Sequence, residues 1–216
     1  MSATQFSRHP GWPERLGPVI VPAGAVELRP PRLRDGGAWS SIRLRDRGHL
    51  ERWEPSSPER WEERNGVLAW PSQYGALRRM GRQGTALPFV IAVNGEFVGQ
   101  LTIGNVIRGA LCSAWVGYWV ASTRVGGGVA SAAVALAVDH AFHAAGLHRL
   151  EATVRPDNGP SLRVLEKVGF RREGLYRRYL NVEGGWHDHL CLAVTVEDLP
   201  RGAVHALVTQ GRARLA

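Results

Sequence analysis

Apolar and polar positions change rhythm several times along this chain. Val26-Glu27-Leu28-Arg29 alternates as a strand does, and Pro30-Pro31 stops it. From Asp35 to about Leu50, Trp39, Ile42, Leu44 and Leu50 predict a helix. Ser57-Pro58-Glu59 has the chemistry of a helix start, with Ser57 as cap and Pro58 in the first turn. The helical stretch it opens passes through Trp61, Leu68, Tyr74, Leu77 and Met80 to Gly81, with a break expected at Pro71. At Leu87 the pattern turns to strands. Phe89 to Val93 and Val98 to Ile107 flank Asn94-Gly95, a strong two-residue hairpin turn, and Ser113 to Val120 forms a third run. A glycine-rich turn leads into a helix from about Val129 to Ala145, ended by Gly146. Arg149 to Val154 is a strand and Asn158 to Val168 a short helix stopped by Gly169. Gly174 to Val182 and Trp186 to Val196 then form a hairpin across Glu183-Gly184-Gly185. This order predicts an α+β fold, a mixed and mostly antiparallel central sheet flanked by helices.

Residues 1–24 carry Pro10, Pro13, Pro18 and Pro22 without periodicity and are expected to form an extended arm. Residues 25–200 are expected to be the domain proper, and 201–216 a C-terminal helix or tail. A hydrophobic fraction of 44% over 216 residues suits a buried core. The longest largely apolar stretch, Val129 to Val138, is closed by Asp139 and His140. A bilayer span needs about 18 or more such residues, so no membrane crossing is expected. Arg8, His9, Glu14 and Arg15 interrupt any apolar run near the amino end, which predicts no secretory signal. Only Cys112 and Cys191 occur, too few for a disulfide framework, and a reducing cytoplasm is the expectation. The balance of 27 basic and 19 acidic residues gives a formal charge of +8. Such a field attracts nucleic acid, a ribosome surface or a phosphorylated cofactor, or simply keeps a basic surface solvated.

Arg124-Val125-Gly126-Gly127-Gly128-Val129-Ala130 joins a strand to a helix. The first amides of a helix lack partners inside it and the end carries partial positive charge. Glycines let a ligand approach the backbone, and Ala130, Ser131, Ala132 and Ala133 leave room for a phosphate. Three readings fit this turn: a tight connection with no ligand, a dinucleotide site with Glu151 about 20 residues on, and an acyl-coenzyme A site. The dinucleotide site fits less well after an antiparallel meander than in an opening parallel βαβ unit.

The run from Leu150 to Phe170 decides among them. With its Asn158-x-x-Ser161 step and its Leu165-Glu166-Lys167-Val168-Gly169-Phe170 helix end, it resembles the GCN5-related N-acetyltransferases. Arg172-Glu173-Gly174 and Trp186-His187-Asp188-His189 match as well, and within that family the chain looks most like the Rim-type branch, which modifies the N-terminal residue of ribosomal proteins. The likeness runs from about Leu87 to Val196 and more loosely back to Val26. It departs at the glycine turn, where the family's Gln/Arg-x-x-Gly-x-Gly/Ala places Val125 at the expected Gln or Arg and Gly127 at a position that is often basic.

The resemblance implies acetyl-CoA as cosubstrate and direct attack of an amine on its thioester. It assigns the pyrophosphate to the turn Val125-Gly126-Gly127-Gly128-Val129-Ala130-Ser131, and the pantetheine arm to a gap between splayed strands ending near Val120 and Val154. It gives the Val120 amide to the thioester carbonyl, Asn158 to the pantetheine, Ser161 to the leaving thiolate and Glu151 to the base. The residues themselves leave other readings open: Asn158 as a helix cap with Ser161 in support, and Glu151 as a surface carboxylate beside Arg149 or Arg155. His187 and His189 fall on one strand face and Asp188 on the other, which makes a metal unexpected and the cleft edge or an ordinary polar face the alternatives. Trp39, Trp53, Trp61 and Trp70 are expected in the core, with one or two lining a groove. The expected acceptor is a protein N-terminus; a small amine, or a non-catalytic ribosome-associated module, are the alternatives. No nucleic acid is required, and either a monomer or a homodimer is compatible.

Overall fold

A computed structural model describes residues 11–216. The chain begins with a hairpin, β1 (Leu16–Val21) and β2 (Gly24–Arg29). Four helices follow: α1 (Gly36–Arg45), α2 (Arg47–Leu50), α3 (Trp61–Asn65) and α4 (Trp70–Gln83). The meander β3 (Ala86–Val93), β4 (Glu96–Ile107) and β5 (Ser113–Val120) leads to α5 (Val129–His143). Then come β6 (Arg149–Val154), α6 (Gly159–Val168), β7 (Arg171–Val182) and β8 (Gly185–Thr195). The chain closes with α7 (Ala203–Thr209) and β9 (Arg214–Leu215). The strands form one sheet in the order β7-β8-β6-β5-β4-β3-β2-β1-β9. Every pairing is antiparallel except β5 with β6.

The sheet is covered on both faces. Leu101 and Ile103 of β4 join the core beneath α5, whose faces are apolar nearly all round, as a buried helix requires. Gln100, which alternates with Leu101, turns to the other face, where its Oε1 accepts from Trp39 Nε1 at 3.0 Å. On that face Trp39, Trp70 and Leu77 form a second cluster against Phe97 and Trp119. Central β3 is buried along its whole length.

The predicted α+β arrangement holds, and the Asn94-Gly95 turn has positive φ at both residues, as its hairpin needs. Five expectations change. Residues 16–21 of the supposed arm form β1, since Val19 and Val21 alternate inward and pair with β2; residues 1–10 lie outside the described residues. The C-terminal segment is built into the fold, because β9 pairs with β1. The early helix breaks at Asp46 rather than running to Leu50. Ser57 Oγ accepts from the Glu59 amide, yet no helix starts there; α3 begins at Trp61. Pro71 begins α4 rather than breaking it, because a first-turn proline gives up only an amide that would be unpaired anyway.

Candidate functional site

The parallel ladder between β5 and β6 covers only Ser113 to Trp115 against Arg149 to Glu151. Beyond it each strand stays with its other neighbour: β5 pairs with β4 to Val120, and β6 with β8 to Val154. The two therefore part into a wedge. The Ala121 amide donates to the Val98 carbonyl at 2.8 Å, so by strand alternation the N–H and C=O of Tyr118 and Val120 face away from β4, into the wedge. A strand buried mid-sheet normally has both edges paired; here one edge offers main-chain donors and acceptors to a ligand.

The wedge opens into a cavity of about 1540 Å³ that reaches from the α5 turn to the α2–α3 segment. At one end lies the glycine turn. Gly126 and Gly128 have φ of +81° and +85°, a region costly for other residues. Gly128 precedes α5 without any side-chain cap, and the Ala132 amide makes the first helical bond, to the Gly128 carbonyl. The amides of Val129, Ala130 and Ser131 are thus free of helical partners. All three residues line the cavity, as do Val120, Val125, Gly126 and Gly128. Gly127 does not. Its carbonyl accepts from the Ala23 amide, and a Cβ there would meet Ala23 Cβ at 2.7 Å. The β1–β2 turn thus explains why this position carries no basic side chain. Arg124 is engaged by Glu96. Arg163 and Lys167, one turn apart on α6, add positive charge to the cavity wall and were not singled out from sequence, although their i, i+4 spacing on an otherwise noted helix was legible.

Behind the turn, Ser122 donates through both its amide and its hydroxyl to Asp46, each at 2.7 Å. Asp46 is buried, and the paired Arg45 guanidinium, helped by the Ser122 bonds, holds its carboxyl down at about 2. The α1–α2 break is thereby tied to the lead-in of the glycine turn.

Asn158 caps α6, its Oδ1 accepting from the Ser161 amide at 3.2 Å. Both residues also line the cavity. The Ser161 hydroxyl lies 3.1 Å from Tyr118 Oη, inside the wedge. Burial raises the Tyr118 phenol to about 12, so it stays protonated at neutral pH. Sequence reasoning did not single out Tyr118; its only signal was its place on the strand that parts. Glu151 is elsewhere. It is outside the cavity lining, and Arg149 Nε donates to its Oε1 at 2.8 Å.

The opposite wall comes from the early helices. Trp39, Trp61 and Trp70 are core residues, whereas Trp53 lines the cavity with Arg155 stacked 5.3 Å from its ring. Arg43 is held between the rings of Trp39, Trp61 and Trp119, bonded to Asn65 and paired with Glu54. Trp115 of β5 and His189 of β8 complete the lining.

A family model described as an acetyltransferase (GNAT) domain matches residues 25–171. The structure of Mycobacterium smegmatis RimJ in complex with CoA-disulfide is similar at TM-score 0.95 and 60% identity, over 96% of this chain and 100% of that one. The ribosomal protein uS5-alanine N-acetyltransferase of Escherichia coli is 28% identical over 194 residues, 89% of this chain and 98% of that protein. The probable N-acetyltransferase YjcK of Bacillus subtilis is 43% identical over 107 residues; the match takes in 50% of this chain and 59% of that protein.

Proposed function

The chain belongs to the GNAT acetyltransferase family and is an acetyl-CoA-dependent N-acetyltransferase, and on that premise we propose that its acceptor is the N-terminal amine of a protein, a ribosomal protein beginning with a small residue. The observation that carries this reading is the continuity of the wedge with the free amides of α5 on one side and an open acceptor wall on the other. At about 1540 Å³ the cavity exceeds the ~300–1,000 Å³ of a site for one small ligand, as a site for two substrates must. The Escherichia coli relative, matched over nearly its whole length, is named for such an acceptor.

The residues present fit coenzyme A. The amides of Gly126, Gly128, Val129, Ala130 and Ser131 would hold its diphosphate, with Arg163 and Lys167 adding charge. The exposed edge of Tyr118 and Val120 would hold the pantetheine arm, and the Val120 amide the thioester carbonyl. When bound, acetyl-CoA supplies an activated acyl carbon. Ser161, backed by Tyr118, delivers a proton toward the departing sulfur. Asn158 sets the position of Ser161 by capping α6. Glu59 and Glu63, exposed at the cavity mouth, favour approach of a cationic amine. An N-terminal amine, at about 7.7–8.0 against about 10.4 for lysine, is already partly neutral near pH 7 and needs little help to react.

The enzyme works in the cytoplasm on this reading, and its two thiols are free. Thiol release from acetyl-CoA, measured with Ala- and Ser-starting peptides beside a panel of small amines, tests the acceptor. Turnover of the peptides at least ~10-fold above the small amines is expected; the reverse order would replace the protein N-terminus by a small amine.

A further inference from the structure

Glu151 is engaged by Arg149 outside the cavity, which leaves another group to take the amine's proton. We propose that His189, which the sequence left between the cleft edge and an ordinary polar face, is the catalytic residue that takes the proton from the acceptor amine. The proposal rests on the N-acetyltransferase reading but not on the identity of the acceptor.

His189 lies on β8 one residue beyond the Val154–Leu190 pair that ends β6, so it stands at the rim where the wedge opens. Its residue is 4% exposed and lines the cavity. Cys191, two residues on, pairs with Thr153, while the alternate residues Ala152 and Leu192 pack in the core cluster with α5, which puts His189 on the opposite face from α5. The ring is fixed twice. Nδ1 lies 3.0 Å from the His187 carbonyl oxygen, and the Tyr179 ring meets the imidazole edge-on at 5.7 Å. A carbonyl can only accept, so Nδ1 carries the proton and Nε2 of the neutral ring holds the lone pair. No hydrogen bond engages Nε2 among the described residues. His189 lines the cavity, and Nε2 is not among the enclosed unpartnered side-chain atoms of the described residues, which are Arg64 Nε and Asn181 Oδ1.

The balance of the step is complete with groups already named. An ammonium R–NH₃⁺ gives one proton to Nε2 and becomes R–NH₂. The nitrogen lone pair forms the C–N bond, and the C–S bond breaks with its electron pair on sulfur. The sulfur takes a proton through the Ser161–Tyr118 hydroxyl pair, which is replenished by the second proton that nitrogen sheds. His189 returns its own proton to water. One proton is released per amide formed. Other titratable or charged groups near the ring include Tyr176 and Tyr179 of β7, His187 and Cys191 of β8 and Arg155 beyond β6. Tyr176 is raised to about 12 by its hydrogen bond with Cys191 and remains a phenol.

The test is His189→Gln, which keeps a hydrogen-bonding group near Nε2 but no basic nitrogen, assayed with the best acceptor from the peptide and amine panel. The expected result is a loss of about 10²-fold or more in kcat with the Kd for acetyl-CoA unchanged. The pH profile of kcat should differ between wild type and variant, the variant's rate following ionisation of the amine alone. Free imidazole should restore part of the activity of His189→Ala. A His189→Gln variant with native kcat and an unchanged pH profile overturns the proposal. If only a small amine is turned over, the acceptor reading falls while His189 is judged on that amine. If no amine is turned over, the same variants compared in acceptor-free thioester hydrolysis, with water in the amine's place, decide it.

Discussion

Two helices point their amino ends at the same cavity, and they begin in opposite ways. At α6 Asn158 closes the first turn, accepting the Ser161 amide, and Pro160 gives up an amide that would otherwise be orphaned. At α5 nothing closes it. Gly128 has no side chain to offer and sits at φ +85°, and the small residues after it leave the amides open. A helix that has only to hold Ser161 in place satisfies its own donors. α5 keeps its first donors free, and its stability comes from burial of an almost wholly apolar surface instead.

The sharpest break in that contrast is Gly128→Val. A β-branched residue cannot easily adopt φ +85°, and its Cβ would stand 3.1 Å from Val21 Cβ. Coenzyme A affinity by calorimetry should fall about 10³-fold, the worth of two charge-assisted amide bonds with the distortion added. Circular dichroism and thermal melting would show whether the fold survives. Native affinity in a folded variant would mean that the α5 turn does not bind the diphosphate.

On the α6 side, Ser161→Ala should leave coenzyme affinity nearly intact and slow kcat by about 10²-fold. Tyr118→Phe should cost a similar factor, and the double variant little more than either single one, as expected of two hydroxyls serving one proton path. Additive losses would separate them, and an unchanged kcat in Ser161→Ala would remove the serine from the chemistry.

The α5 turn is held from behind by Asp46. Its carboxyl is depressed from 3.8 to about 2 in the folded protein, first by Arg45 and then by Ser122. A depressed folded-state value stabilises above the unfolded value and is lost as pH falls through the folded one. Asp46 should therefore contribute about 2 kcal/mol at neutral pH that disappears between about pH 4 and 2. Denaturant titrations of wild type and Asp46→Asn should differ by that amount at pH 7 and converge near pH 2. A constant difference across that range would place the stabilisation in packing rather than charge.

The smallest effect belongs to the cap. Asn158→Ala should lower stability by about 1 kcal/mol in denaturant unfolding. Kd for coenzyme A should change less than in Gly128→Val. A large loss of affinity with no loss of stability would make Asn158 a ligand contact first and a cap second.

Much of this was legible in the order of residues. The alternation in β3 and β4, the Asn94-Gly95 turn and the nearly all-apolar α5 follow from local periodicity and turn chemistry, which need no distant partner. The glycine turn and the Asn158-x-x-Ser161 step marked both helix starts. What local pattern could not reach depends on contacts far apart in sequence. Val19 and Val21 look like part of a proline-punctuated arm until β2 and β9 pair with them. Gly127 looks like a departure until Ala23 is found against it. Glu151 and His189 both looked able to face the cleft. Only the register of β8 on β6 and the reach of Arg149 put the carboxylate in an ion pair and the imidazole at the rim of the wedge. Sequence determined which segments are helix and strand and which helix start leaves its first amides uncapped, because those are short-range matters of sterics and hydrogen bonding. Tertiary structure decided which edge of β5 is left bare and which side chains share the cavity, because pairing between distant strands sets both.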